Sequence, residues 1–161
     1  MLAGLVEHQL LVPLAEKEKK RWLFVTGDID DLLSGRNAAT SFPSAVADAV
    51  IGRFCKGLIV SCTAKMKGRA DFKRLTGIEE AWVLVFPGPD GGWRLFGRFA
   101  RKNVFVGLAC FHRDECAPLT KYNEHAATMI ADWATRFASG PLMAADYDDY
   151  LGYMHLDKDE T

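Results

Sequence analysis

The stretch of sequence that decides the fold is AWVLVFPGPDGGWRLFGRFARKNVFVGLACF, residues 81–111. It contains three runs rich in aromatic and β-branched residues, at 81–86, 93–99 and 104–111, and this composition is typical of β-strands. The glycine- and proline-rich step at 87–92 predicts a hairpin turn, and the polar step at 101–103 predicts a second tight turn. The stretch therefore predicts an antiparallel β-meander.

The middle run alternates in a way that separates two faces of the meander. One face receives Trp93, Leu95 and Phe99, and the other receives Arg94, Phe96 and Arg98. Between Lys56 and Lys102 there are ten Lys or Arg and four Asp or Glu, in a chain whose net charge is −1. Clustered positive charge attracts phosphate-bearing partners, so this region predicts a surface for a polyanion. The alternative is a charged sheet edge that resists aggregation.

Two amphipathic helices are predicted, one before and one after the meander. The first, at 44–57, starts with Ser44 as a candidate N-cap and ends at Gly57. The second, at 121–138, ends before Ser139-Gly140-Pro141. Their apolar positions are Val46, Ala49, Val50 and Phe54 in the first and Tyr122, Ala126, Met129, Ile130, Trp133 and Phe137 in the second. The fold class is therefore α+β, an antiparallel meander packed against amphipathic helices.

The segments before the meander give weaker signals. Trp22–Val25 predicts a buried strand, and Ile29–Leu33 predicts a helical turn. The apolar segment Leu2–Leu14 predicts either a short helix or an edge strand. Leu58–Cys62 either extends the preceding helix or starts a strand, because periodicity cannot distinguish the two for so short a run.

Length and composition favour a single α+β domain over residues 1–161, since 161 residues with 49% hydrophobic content suffice for one core. No apolar run reaches the roughly 18–20 residues of a membrane helix, and the start lacks the basic region of a signal peptide. Four cysteines are too few for a disulfide scaffold in a chain of this length. We therefore expect a cytoplasmic protein with reduced thiols and no membrane partner.

The C-terminal extension, residues 144–161, is acidic, with six carboxylate residues and Lys158 as its one cation. One hypothesis is that this extension folds back over the cationic face, so that truncation after Gly140 would strengthen RNA binding. The alternative is a terminus that aids solubility or docks on a partner.

The order of residues around the meander resembles the RelE/ParE superfamily of bacterial toxins, including HigB-like and phage-derived members. The resemblance rests on DFKRLTGIEEAW at 71–82, GGWRLF at 91–96, VFVGLACFHR at 104–113, and Pro118 with the helix that follows it. It covers about residues 68–137. It implies a RelE-like fold and a metal-independent endoribonuclease that cleaves RNA through attack by the 2′-hydroxyl. It also implies RNA or the ribosome as partner and a cognate antitoxin protein.

This resemblance suggests roles for individual side chains. Arg94 and Arg98 would stabilise charge on the phosphate, because the guanidinium fork pairs with phosphate oxygens. His112 would act as acid or base, because an unperturbed pKa of about 6.5 makes both protonation states accessible near neutrality. The expected RNA-binding residues are Lys73, Arg74, Arg101, Lys102 and Arg113. Tyr122 is a weaker candidate acid.

Other chemistries have less support in the sequence. The spacing of Cys110, His112 and Cys116 matches no common zinc site, and no third residue orients a nucleophilic cysteine. Neither a metal nor a cofactor is therefore expected. Two alternative functions stay open: a non-catalytic module that binds nucleic acid or protein through the basic sheet face, and an enzyme for a small ligand in a pocket framed by Trp82 and Trp93.

Overall fold

The computed structural model describes residues 4–37, 40–65, 67–153 and 155–159. The strands are β1 (Leu5–Glu7), β2 (Trp22–Thr26), β3 (Val60–Thr63), β4 (Phe72–Arg74), β5 (Trp82–Phe86), β6 (Trp93–Arg101), β7 (Val104–His112) and β8 (His155–Asp157). The helices are α1 (Gly27–Leu33), α2 (Ser44–Cys55), α3 (Leu119–Arg136) and α4 (Tyr147–Tyr150), with 3-10 turns at Glu16–Glu18 and Arg113–Cys116.

All eight strands form one mixed sheet in the order β1-β2-β7-β6-β5-β4-β3-β8. Strands β4 to β7 are antiparallel neighbours, which confirms the predicted meander. The pairs β2–β7, β3–β4 and β3–β8 are parallel. The α+β class is confirmed, and the sheet is larger than the sheet typical of RelE-like toxins.

One face of the sheet, which we call the α2 face, packs against α1, α2 and the C-terminal extension. Its centre is aromatic: the Trp82 ring lies 5.1 Å from the Phe99 ring and 4.9 Å from the Tyr150 ring, measured between centroids. Each such pair contributes about 0.5–1.5 kcal/mol beyond the burial of its area. Trp82 and Tyr150 are fully buried, so the extension is part of this core.

The opposite face, which we call the α3 face, carries Val83, Phe96 and Val106 and is covered by α3. Tyr122 and Trp133 of α3 are buried against it. The alternation predicted for β6 is confirmed, since Leu95 and Phe99 belong to the core of the α2 face whereas Phe96 belongs to that of the α3 face. The two long helices therefore lie on opposite sides of the sheet.

Most predicted elements are present; one cap prediction is wrong, two open alternatives are resolved, and two strands were not predicted. Ser44 is the first residue of α2 and Pro43 is its N-cap, with no side-chain cap bond, so the Ser44 prediction is wrong by one position. The ambiguous segment 58–62 starts a strand, β3, and the described part of 2–14 contains the edge strand β1. Strands β4 and β8 have no counterpart in the sequence prediction.

The C-terminal extension is anchored to the sheet along most of its described length. Strand β8 pairs with β3, and the Asp159 carboxylate accepts hydrogen bonds from the Thr63 hydroxyl at 2.7 Å and the Ala64 amide at 2.8 Å. Burial by itself would raise the pKa of Asp159, but hydrogen bonds from Tyr147, Thr63 and Ala64 outweigh it and lower the pKa. The Asp159 carboxylate therefore helps to hold the extension on the sheet.

Two arginines, the buried Arg21 and the half-buried Arg74, fasten the same extension. Arg21, which has no exposed surface, donates to the carbonyls of Phe54, Leu58 and Gly152. Arg74 donates to the carbonyl of Ala144 at 2.6 Å and to the hydroxyl of Tyr150 at 3.0 Å. Residues 160 and 161 lie outside the described residues. Truncation after Gly140 would remove core residues such as Tyr150, so it cannot serve as a test of shielding.

Candidate functional site

An open cleft of about 850 Å³ lies on the α3 face, next to the area that α3 covers. Its floor includes Lys73 of β4, Val85 of β5 and Arg94 of β6. One wall is the β3–β4 loop at 67–70, and the other includes the β5–β6 hairpin at 87–91 together with Arg113. Two loops and a 3-10 turn thus surround a floor built from neighbouring strands.

Among the described residues, six cationic side chains and one carboxylate line this cleft. The cations are Lys67, Arg69, Lys73, Arg94, Arg113 and Lys158. The carboxylate, Asp71, is 3.1 Å from Nη2 of Arg53 and accepts from the Ser61 amide at 2.9 Å. Because Arg53 is not among the lining residues, the Asp71 charge is neutralised from outside the cleft. Cationic side chains therefore outnumber carboxylates among the described lining residues.

Lys73, Arg94 and Arg113 converge within the cleft. Burial lowers the pKa of Lys73, and the charges of Arg94 and Arg113 lower it further. Gly91 supports both arginines: its carbonyl accepts from Arg94 Nη1 at 3.1 Å, and its Cα side faces the Arg113 stem. Gly91 has φ +90°, and a Cβ there would lie 2.3 Å from Arg113 Cδ. Only glycine satisfies both the backbone angle and this contact.

Three of the eight residues expected from the sequence, Lys73, Arg94 and Arg113, line the cleft. Arg98 does not, although it shares the α3 face with Arg94. It is 5% exposed, donates to the carbonyls of Glu79 at 2.7 Å and Glu80 at 3.3 Å, and lies 5.7 Å from the Trp133 ring centroid. Arg98 thus lies beneath α3.

Arg74, Arg101 and Lys102 also lie away from the cleft. Arg74 follows Lys73 in β4 and therefore projects to the opposite face, where it pairs with Glu80 at 2.8 Å. Arg101 and Lys102 form the exposed turn between β6 and β7. Arg101 lies seven residue steps from Arg94 along β6, a distance of roughly 24 Å.

His112 is on the α2 face, across the sheet from Arg94. It is the cross-strand partner of Trp93, whose ring lies 5.5 Å from the imidazole, whereas Arg94 is paired with Phe111. Its Nδ1 accepts from the Asp114 amide at 3.1 Å and caps the 3-10 turn. The structure therefore does not bring Arg94, Arg98 and His112 together.

Tyr122, the weaker candidate acid, is adjacent to Arg94. Burial raises its pKa to about 12, and the Arg94 guanidinium counteracts part of that rise. The phenol is accordingly protonated at neutral pH.

Sequence reasoning did not assign Lys67, Arg69 and Lys158 to a site. Arg69 belongs to the basic segment before the meander, and the positive charge of that segment could have assigned it to the site. Nothing in the sequence indicates that Lys158 reaches the cleft, because its position depends on the pairing of β8 with β3 at the edge of the sheet. Its ammonium donates to the Arg69 carbonyl, which joins the last strand to the cleft wall.

The other chemistries find little support in the geometry. Burial raises the pKa of Cys55 and Cys62 to about 12 and that of Cys116 to about 11, which disfavours the reactive thiolate. Across the described ranges, no group of three or more His, Cys, Asp or Glu could hold a metal ion. Trp82 is buried in the core of the α2 face, where it contacts Phe99 and Tyr150, so it cannot frame an open pocket with Trp93.

No helix within the described residues has the length and apolar character needed to cross a membrane. Comparisons of the chain with protein-family models, with curated proteins and with solved structures found no match.

Proposed function

We propose that the cleft binds a single-stranded segment of RNA through its phosphates. The observation that carries this proposal is the row of cations across the sheet. Arg94 lies on β6 and Lys158 just beyond β8, four strand spacings apart in the sheet order. Four spacings correspond to about 19 Å. A single small phosphate would occupy only part of such a row, whereas consecutive phosphates of a strand would follow it.

The dimensions of the cleft favour a single strand over a duplex. Its volume of about 850 Å³ lies within the range of roughly 300–1,000 Å³ that is usual for ligand sites. The hairpin and the β3–β4 loop stand on either side of the floor, and a flexible single strand can follow the floor between them. The lining residues that the structure describes include no aromatic ring, and this supports recognition of the backbone rather than of stacked bases.

A RelE-like endoribonuclease is the second candidate, and Lys73 is the observation in its favour. Cleavage by the 2′-hydroxyl requires a group that accepts a proton beside cations that stabilise the phosphate. Burial and the charges of Arg94 and Arg113 lower the pKa of Lys73. A lower pKa favours the neutral amine, which is the form that can accept the proton of the 2′-hydroxyl. Arg94 and Arg113 would then stabilise the phosphate. A cognate antitoxin, in this case, would be expected to cover the cleft.

Fluorescence anisotropy with labelled single-stranded RNA over a range of salt concentrations tests the binding proposal. We expect the logarithm of affinity to fall linearly with the logarithm of salt concentration, and Arg94→Gln to reduce the slope by about 0.7, the value for one lost phosphate contact on a single strand. Arg101→Gln is the matched control, because it removes the same charge at the far end of the sheet.

Two outcomes decide between the candidates. Equal effects of the two substitutions would refute the cleft as the binding site. RNA products on a denaturing gel, present with the wild-type protein and absent with Lys73→Met, would favour the endoribonuclease over plain binding.

A further inference from the structure

Asp71 is the carboxylate among the described residues that line the cleft, and the two strands beside β4 hold it there. Its Oδ2 accepts from the Ser61 amide at 2.9 Å and from the Ser61 hydroxyl at 3.3 Å. The Asp71 amide in turn donates to Ser61 Oγ at 3.0 Å, and the Val85 amide donates to the Asp71 carbonyl at 2.8 Å. The position of the carboxylate therefore does not depend on its ion pair alone.

The cationic partner of Asp71 comes from the other side of the sheet. Arg53 belongs to α2, which packs on the α2 face, whereas the cleft lies on the α3 face. Arg53 Nη2 is 3.1 Å from Asp71 Oδ1, and Arg53 Nη1 is 3.3 Å from Asp71 Oδ2. Two parallel bonds of this kind are the specific geometry of an arginine–carboxylate pair. Arg53 therefore reaches the carboxylate of the cleft from behind.

The presence of Arg53 decides which charge this pair presents to a bound phosphate. With both residues in place, the pair is neutral overall. Without Arg53, a carboxylate held by Ser61 would lie uncompensated in a cleft whose ligand is negatively charged. A unit negative charge about 4 Å from a phosphate weakens binding by about fivefold even at the dielectric constant of water. The Asp71 side chain is 18% exposed, so screening by water is incomplete.

We propose that Arg53 sets the affinity of the cleft for RNA through Asp71, without contacting the RNA itself. This inference rests on the proposed RNA binding and adds a positioning residue to that site. None of the described residues that line the cleft belongs to α2. Helix α2 therefore contributes to binding only through the charge that it places on Asp71.

A double-mutant cycle on this pair tests the proposal. Fluorescence anisotropy with single-stranded RNA compares the wild-type protein with Arg53→Gln, with Asp71→Asn and with the double variant. We expect Arg53→Gln to weaken binding by about fivefold and Asp71→Asn not to weaken it. The double variant should return to the wild-type affinity, because its pair is again neutral. Arg53→Gln should also keep the wild-type salt dependence, since no phosphate contact is lost.

Lys56→Gln is the matched control, because it removes an equal charge just beyond the end of the same helix. Lys56 is exposed and is not among the described residues that line the cleft, so its substitution should leave the affinity unchanged. Urea denaturation of each variant selects a temperature at which all of them are folded.

The results separate this inference from the proposed function. Wild-type affinity in Arg53→Gln overturns the role of Arg53 and leaves RNA binding intact. A loss of affinity that Asp71→Asn does not restore also overturns it, because Arg53 would then act directly on the RNA or on the fold. The absence of RNA binding by the wild-type protein overturns both proposals.

Discussion

Arg98 allows the sharpest test of how the sheet is covered, because the sequence assigns it to catalysis and the structure places it under α3. The substitution Arg98→Met keeps an unbranched apolar stem and removes the charged guanidinium. It abolishes hydrogen bonds to the carbonyls of Glu79 and Glu80 and the contact with the Trp133 ring. The two carbonyls then lose this donor.

The size of the effect follows from these contacts. Hydrogen bonds from charged donors contribute about 1.5–3 kcal/mol each. A cation–π contact contributes about 0.5–2 kcal/mol, depending on how far it is removed from water. Methionine recovers part of this through apolar packing, so we expect a net loss of about 3 kcal/mol in the free energy of unfolding. For a chain of this size that loss lowers Tm by about 6–12 °C.

Urea denaturation measures the stability of the variant, and anisotropy at a temperature where both proteins are folded measures RNA affinity. We expect a large loss of stability with RNA affinity unchanged. The reverse result, a stable variant that no longer binds RNA, would refute the placement of Arg98 beneath α3 and restore its role at the phosphate.

Two further predictions concern the C-terminal anchor and the buried thiols. Tyr150→Phe removes a hydroxyl that donates to the Glu80 carboxylate and accepts from Arg74 at 3.0 Å and the Ala144 amide at 2.7 Å. We expect the free energy of unfolding to fall by about 2 kcal/mol, which lowers the urea midpoint. An unchanged midpoint would contradict the role of Tyr150 in anchoring the extension. Burial raises the pKa of Cys62 from 9.0 to about 12, so the unfolded chain loses this proton at lower pH than the native protein does. The stabilisation is therefore complete below about pH 9 and is lost as pH rises toward 12. Urea titrations from pH 8 to pH 11 should show falling stability, with a shallower fall for Cys62→Ala; the same slope in both proteins would rule out this contribution.

The sequence was sufficient to predict the meander because several signals agreed there. Aromatic and β-branched runs, a Pro-Asp-Gly turn and a two-residue alternation all indicate the same three strands. Strands β4 and β8 have three residues each, which is too short for any periodicity to be recognised. The parallel neighbours β2 and β3 are set by contacts between distant segments, and local sequence does not encode these.

The candidate site was only partly predictable, for a related reason. Alternation correctly places Arg94 and Arg98 on one face, but the helix that covers Arg98 and leaves Arg94 at an open cleft comes from more than twenty residues further along the chain. Alternation also sends adjacent Lys73 and Arg74 to opposite faces. That separation could have been predicted had 72–74 been recognised as a strand. The count of charged residues identified the basic region of the sequence. Only the tertiary structure shows which of its cations line the cleft.

The place of Lys158 in the cleft has a consequence during protein synthesis. The wall at 67–70 and the floor at 73–94 are translated early, but the strand that supports them at the sheet edge comes after residue 154. A nascent chain still attached to the ribosome before that point lacks both the last cation and the edge pairing. The complete row of cations across the sheet is therefore assembled only after translation has passed residue 158.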